Sequence, residues 1–410
     1  MEEKGDSRKI NICQFGYTSE WALAKFFPAV LRNGFSEYFN LKRICGREPT
    51  KERVIERLTH GIIRRCNDLL KGKNWRAKNT RTERHSCADL IDLLVDDKVE
   101  YSDASKKLDN IPDDYGAAIL FVNNPVHLKY IETLVNKGKH ILCEKPIVTV
   151  TNKHHEADRT QLDRLEKLVE ENPELVLMDA EHYSAKKATI TFYEKLGEMV
   201  ADYGRIAGIE AYTYEKDDPK KERTKTLLSR KNQTGLLLDM GVHLFGVISN
   251  IGGEVTEINN ATYGSHKGYD VETYVDTSFN VQGNLFHENA KANFTFAKFI
   301  DKLKKPIEED NKQFNIIFEN RNDKKNILET KVTIDFNKGT VTDSNNKTWY
   351  SDSDPATNEY ENILKQFYNS IIRKQEPRTS FRRSIQNLDA IHRVYESFPM
   401  HKNLLSIYKK

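Results

Sequence analysis

The sequence predicts an α/β chain in which a doubly wound parallel sheet is followed by an α+β domain with a large, open, mainly antiparallel sheet. Three observations carry this. Strand and helix patterns alternate over roughly the first 150 residues, runs of alternating polarity separated by turn residues begin near residue 180, and the tail from Tyr360 is helical again. The expected domains are 1–148, with a helical insertion over 50–97, then 149–375, then a helical tail over 376–410 that returns towards the first domain.

Ile10 to Phe15 is short, apolar and β-prone, and runs into Gly16. Ser19 can cap a helix whose Leu23, Phe26, Phe27, Val30 and Leu31 recur at helical spacing, ended by Asn33-Gly34. Phe39 to Cys45 reads as a second strand, and Ala117 to Val122 as a strand buried on both faces. Pro125 opens a helix that Gly138 ends, and His140 to Cys143 is another buried strand. Parallel neighbours need crossover helices, so this order implies a doubly wound sheet. Strands of the second domain are expected at 206–214, 254–263, 273–281, 290–296, 314–318 and 332–336.

Lys plus Arg number 64 against 61 Asp plus Glu, a net charge of +3, which argues against a nucleic-acid binder living on bulk charge. No run reaches the roughly 18 apolar residues needed to span a bilayer. The charged amino terminus shows no signal peptide, and none of the five cysteines forms a Cys-x-x-Cys pair. A cytoplasmic protein with reduced thiols is expected.

Gly16-Tyr17-Thr18-Ser19-Glu20-Trp21 is the turn where such a sheet offers backbone N–H groups and a helix dipole to a dinucleotide pyrophosphate. Gly16 alone remains of a Gly-x-Gly-x-x-Gly pattern, with Thr18 and Trp21 in the other two places. At the end of the second strand an acidic residue suits the ribose of NAD and an Arg suits a 2′-phosphate. Arg47 therefore points to NADP, with NAD possible. Lys145, in Glu144-Lys145-Pro146 after a buried strand, is a donor able to polarise a substrate oxygen. Asp239 and His243 share a helix face four residues apart, where a neutral His beside a carboxylate suits general-base chemistry. They could share a metal, but no third ligand is evident and none is expected. Asp179-Ala-Glu181-His182-Tyr183-Ser-Ala-Lys186-Lys187 clusters an acid, an imidazole, a phenol and two ammonium groups. Each motif has a plain alternative: an ordinary turn, an exposed Arg, a loop, a satisfied core His, a solvated junction.

Together these motifs resemble the Gfo/Idh/MocA family of glucose-fructose oxidoreductase, inositol dehydrogenase and their kin. Asn123-Asn124-Pro125-Val126-His127 is similar to the Pro-x-His segment beside the nicotinamide, and Glu144-Lys145-Pro146 to the cofactor and substrate Lys motif. Asp239-Met-Gly241-Val-His243 is similar to the catalytic Asp and His pair, and the tail around Pro377 to Ser380 and Tyr395 to Ser397 to the family's returning tail. Gly246 departs from the family, where many members have Asp. The resemblance spans essentially the whole chain and implies an amino-terminal Rossmann domain. A second likeness, to glucose-6-phosphate dehydrogenase, covers Gly16 to Val30, the insertion and Glu181-His182-Tyr183-x-x-Lys186. In that enzyme the His-Tyr-x-x-Lys segment binds the sugar phosphate, which implies His182, Tyr183 and Lys186 as substrate contacts. Its base would fall near Asn250-Ile251, where there is no His, so the base is expected at His243.

The expected function is an NAD(P)-dependent oxidoreductase moving a hydride between nicotinamide and a hydroxyl carbon of a sugar, polyol or sugar phosphate. A non-catalytic dinucleotide or sugar sensor on the same scaffold is the alternative. The expected partner is that small molecule, without nucleic acid or membrane. A homodimer or homotetramer is expected to cover the open sheet face.

Overall fold

The computed structural model describes residues 9–16, 38–46, 99–103, 108–220, 228–299, 306–320, 328–352 and 359–398, with isolated positions between them. Nearly all of the expected insertion over 50–97 lies outside the described residues, as do 399–410. The chain forms two compact units. Unit 1 comprises Met1–Glu144, Leu168–Ala180 and Asn358–Ser380, and unit 2 comprises Lys145–Lys167, Glu181–Thr357 and Phe381–Lys410. The chain thus leaves unit 1 after Glu144, and the tail expected as one piece divides at Ser380.

Unit 1 is built on β1 (Ile10–Phe15), β2 (Phe39–Gly46), β3 (Glu100–Asp103), β4 (Ala117–Leu120), β5 (His140–Cys143) and β6 (Leu177–Asp179). They form one sheet in the order β3-β2-β1-β4-β5-β6, and every pairing is parallel. The continuous apolar runs explain this. Ala117 to Leu120 and Ile141 to Cys143 are buried throughout, as strands covered on both faces must be. The strand order reverses between β1 and β4, where such sheets take ligands at their carboxyl ends. Of the first expected helix, Ala22, Phe26 and Ala29 are described and buried, with Phe26 on Phe121 at 5.3 Å between ring centroids. Asn124–Val126 makes a short 3-10 turn, and helix His127–Asn136 follows, burying Leu128, Ile131, Leu134 and Val135 on one stripe.

β3 was not signalled by the sequence, because Glu-Tyr-Ser-Asp has no apolar alternation. Arg43 on β2 holds this edge strand, bonding Ser102 Oγ at 3.0 Å and Glu100 at 2.5 Å. Helix Glu359–Arg373 completes the unit, with Tyr360 on Phe121 at 5.9 Å and Phe367 on Phe39 at 6.3 Å. The Asp179 N–H donates to the Thr379 carbonyl at 2.7 Å, and Thr379 Oγ1 donates back to the Asp179 carbonyl at 2.7 Å.

Unit 2 carries β7 (Arg205–Glu215), β8 (Glu254–Gly264), β9 (Tyr274–Gln282), β10 (Phe286–Lys298), β11 (Asn311–Asn320), β12 (Leu328–Asp335), β13 (Thr340–Asp343) and β14 (Thr348–Ser351). They make one sheet in the order β14-β13-β12-β11-β7-β10-β9-β8. All pairs are antiparallel except β7 with β10, which run parallel. Alternation sets its faces: along β9, Val275, Thr277, Phe279 and Val281 are buried while their neighbours are part-exposed. Phe245 of helix Leu236–Asn250 packs at 5.2 Å on both Phe279 and Phe294. β13 and β14 carry no strand signal in the sequence, because each is four residues long and largely polar. Among the described residues, no helix is long and apolar enough to cross a membrane.

Candidate active site

Helix Leu236–Asn250 is apolar on all sides and buried from Leu236 to Ile248, so the two polar side chains within that stretch, Asp239 and His243, are enclosed with it. Their four-residue spacing puts Asp239 and His243 on one face. The chain re-enters unit 2 twice near this helix. Lys145 and Glu181 are the first residues of their unit 2 segments, each following a parallel strand of the first sheet.

Lys145 Nζ donates to Asp239 Oδ1 at 2.7 Å and to the Asp239 carbonyl at 2.8 Å. Asp239 Oδ2 also lies 3.9 Å from Lys298 Nζ. Burial raises the Asp239 carboxyl, but the two ammonium groups outweigh it and hold it below the usual carboxylate range. Lys298 pairs in turn with Glu215 at 3.0 Å, and Glu215 also pairs with Lys312. Glu215 is half-buried, yet the two lysines pull it well below the usual range, and both lysines are pushed up against the pull of burial. No local motif marks Lys298, Glu215 or Lys312. They meet because β10 and β11 both flank β7, which pairs Lys298 with Glu215 in register.

His243, 1% exposed, bonds Glu181 Oε1 through Nδ1 at 2.5 Å. Glu181 is fixed by two backbone donors, Tyr183 N–H at 2.7 Å and Ser184 N–H at 2.9 Å. Burial lifts Glu181 to about 7. Burial first, then the Lys145 ammonium, pushes His243 well below the usual imidazole range. Burial thus works against an imidazolium–carboxylate ion pair at this contact. Glu181 appeared in the sequence only as part of a polar cluster. Its signal was the place opened by Gly246, where a Cβ would stand 3.5 Å from Glu181 Oε2.

Tyr183 stacks on the His243 ring at 4.2 Å and 7°, and His182 meets the same ring edge-on at 4.3 Å. Burial pushes the Tyr183 phenol up, against the pull of the Lys312 ammonium. Lys186 donates to the Phe336 carbonyl at 3.2 Å and lies 5.6 Å from the Tyr183 ring centre. The structure thus gathers Lys145, Asp239, Glu181, His182, Tyr183, Lys186 and His243 in unit 2. Among the described residues, the trio able to approach a metal is Glu181, His182 and His243, with ligand atoms within 4.8 Å of one another. Asp239 is not in it, because its carboxylate belongs to the lysines.

Apart from Lys145, the expected cofactor residues belong to unit 1. Gly16 has φ 81°, donates to the Cys45 carbonyl at 3.0 Å, and has the Phe121 carbonyl where a Cβ would stand. Tyr17, Thr18, Ser19, Glu20, Trp21 and Arg47 lie outside the described residues. Asn123, Asn124 and Pro125 form the turn after β4. His127 is different from the expectation of a cofactor contact. It is 0% exposed, with Nε2 on the Val122 carbonyl at 2.8 Å and Nδ1 3.5 Å from Cys143 Sγ, so its ring braces β4 against β5. Glu144 is likewise buried and accepts from the Tyr360 hydroxyl.

Residues 85–180 match the model of the Gfo/Idh/MocA oxidoreductase family, described as having an NAD-binding Rossmann fold. No curated protein sequence matches the chain. Solved structures do. Levoglucosan dehydrogenase, in complex with NADH and levoglucosan, has a TM-score of 0.66 at 15% identity over 95% of this chain and 97% of its own. A 3-ketoreductase from Actinomadura kijaniata, with NADP and TDP-benzene, has 0.63 at 15%, over 95% and 98%. UDP-N-acetylglucosamine 3-dehydrogenase from Acidithiobacillus ferrooxidans has 0.61 at 13%, over 95% and 98%. The likeness to the Gfo/Idh/MocA oxidoreductase model is confined to residues 85–180, while over nearly its whole length the chain has the fold of these enzymes.

Proposed function

We propose that the chain is an NAD(P)-dependent oxidoreductase that moves a hydride between nicotinamide and a hydroxyl-bearing carbon of a sugar, polyol or sugar phosphate. The observation that carries this reading is the buried assembly of Lys145, Asp239, Glu181 and His243. The sugars and nucleotide analogue named with the similar structures support the substrate class. The start of the turn in unit 1 fits a dinucleotide: at the strand-order reversal Gly16 has φ 81° and packs against the Phe121 carbonyl, a tight turn that glycine allows. When bound, nicotinamide supplies the hydride acceptor or donor. Arg47 would favour NADP through its 2′-phosphate.

The chain's own residues do the proton chemistry. With Nδ1 committed to Glu181, His243 has Nε2 to take the alcohol proton, and the Nδ1 proton can pass to a carboxylate lifted to about 7. Lys145, oriented by Asp239, donates to the same substrate oxygen and stabilises the charge developing there. His182, Tyr183 and Lys186 are the proposed contacts to the remainder of the sugar. A homodimer or homotetramer acting in the cytoplasm completes the proposal.

The test is a titration with NADPH and NADH followed by tryptophan quenching, then a turnover screen of sugars, polyols and their phosphates. Turnover by the wild-type chain and its loss in Lys145→Ala are expected. Binding without turnover would replace the enzyme with a sensor, and unchanged turnover in Lys145→Ala would remove Lys145 from the mechanism.

A further inference from the structure

The helix that carries Asp239 and His243 begins at Gly235, and no side-chain cap bond is made by that residue itself. A helix start leaves backbone N–H groups to be satisfied, at greater cost when it is buried. Here the acceptor comes from far along the chain. Glu272, 1% exposed, takes the Leu237 N–H on Oε1 at 3.0 Å, and its own carbonyl takes the Leu236 N–H at 3.2 Å. A Cβ at Gly235 would land on this carboxylate, so glycine is what lets it reach the first turn.

Two further groups converge on the same carboxylate. Tyr395, from helix Phe381–Ser397, donates to Oε1 at 2.7 Å, and His155 Nε2 donates to Oε2. His155 is delivered by a tight turn in which it adopts φ 63°, the left-handed region, held by its N–H on the Asn152 carbonyl at 2.9 Å. Its Nδ1 is buried without a hydrogen-bond partner among the described residues. Burial works against the Glu272 charge, but His155 and the other donors overcome it and keep the carboxyl below its usual range. Three separated segments therefore spend a buried charge on one helix terminus, whereas an Asp or Ser at the N-cap would satisfy the same N–H locally.

We propose that Glu272 is a positioning residue: anchored by His155 and Tyr395, its carboxylate fixes the first turn of helix Leu236–Asn250, and with it the register of Asp239 on Lys145 and of His243 on Glu181. The inference rests on the proposed function of that helix for its kinetic consequence, though its structural consequence is independent of it.

The experiment compares Glu272→Leu, Glu272→Gln and Tyr395→Phe with the wild-type chain. Three measurements are made on each: kcat and KM on a sugar that turns over, the ¹⁵N resonance of His243 Nδ1, and thermal unfolding. Misplacement by about an ångström costs on the order of 100-fold, so Glu272→Leu should lose roughly that in kcat with KM changed less than about threefold, and the Nδ1 resonance should shift. Gln keeps an acceptor for Leu237 but meets His155 with an amide unless that ring moves its proton to the unpartnered Nδ1. Glu272→Gln should therefore recover about tenfold of the loss. Tyr395→Phe, which keeps the ring, should lose about threefold and serves if Glu272→Leu does not fold. Wild-type kcat in folded Glu272→Leu, or in Tyr395→Phe where only that variant folds, would overturn the inference. If no sugar turns over in the wild-type chain, the proposed function fails separately, and an unshifted His243 Nδ1 in the folded variant overturns the positioning role.

Discussion

The two units make their candidate sites from different material. In unit 1 what is described of the candidate dinucleotide site is backbone: Gly16 with its positive φ, and the polar turn after β4. The side chains expected to help there, His127 and Glu144, are instead buried braces. In unit 2 the candidate site is almost wholly side chains, drawn from two segment starts, one helix and three neighbouring strands. A backbone site tolerates sequence drift as long as strand, turn and helix persist. A site of buried charges depends on every partner, because removing one leaves another unpaired.

The largest test of this contrast is Lys145→Ala. It strips the donor to the substrate oxygen and leaves Asp239 buried with Lys298 as its remaining cation, so kcat should fall by about 10³-fold or more. Glu181→Gln comes next. It leaves one oxygen for backbone donors that now use both and can no longer take up the His243 proton, and kcat should fall on the order of 10²-fold. In unit 1, Gly16→Ala would press a Cβ onto the Phe121 carbonyl at a positive φ, so it should lower thermal stability and weaken NADPH binding by about tenfold, as measured by thermal unfolding and fluorescence titration. A turnover loss as large as that of Lys145→Ala would erase the distinction between the units.

The smallest effect is in stability against pH. The raised Glu181 carboxyl binds a proton when folded between the usual carboxylate value and about 7, so its contribution grows as pH falls through that window. His243, depressed when folded, acts oppositely: the unfolded chain takes up its proton as pH falls below about 6.5, and stability is lost. The two offset each other in the wild-type chain. In Glu181→Gln the His243 contribution stands alone, so denaturant unfolding should show stability falling from pH 7 to pH 5. A flat profile in that variant would mean His243 is not held neutral by the fold.

Much of this was legible in the residues. Apolar runs marked β1, β4 and β5, alternation marked β7 to β12, and the spacing of Asp239 and His243 placed them on one helical face. What was not legible depends on pairing across the chain. Nothing local joins Lys298 to Asp239, or Glu215 to Lys312, until β10, β7 and β11 lie side by side. His127 misled for a related reason: a polar ring after a strand looks available until the carbonyl of Val122 and the thiol of Cys143 are seen to occupy it. Glu181 was visible only as one acid among several, since its role is set by the opening at Gly246.

The closure of unit 1 by residues 358–380 also has a consequence for the order in which the chain can be built. Phe39 and Phe121 are covered by Phe367 and Tyr360, and β6 is fastened by Thr379. A chain emerging from the ribosome at about 5–20 residues per second therefore carries an unfinished first sheet for tens of seconds while the second is made. During that interval the exposed Phe39 and Phe121 are surfaces for a chaperone, and helix Glu359–Arg373 with Thr379 is the fastener that ends the wait.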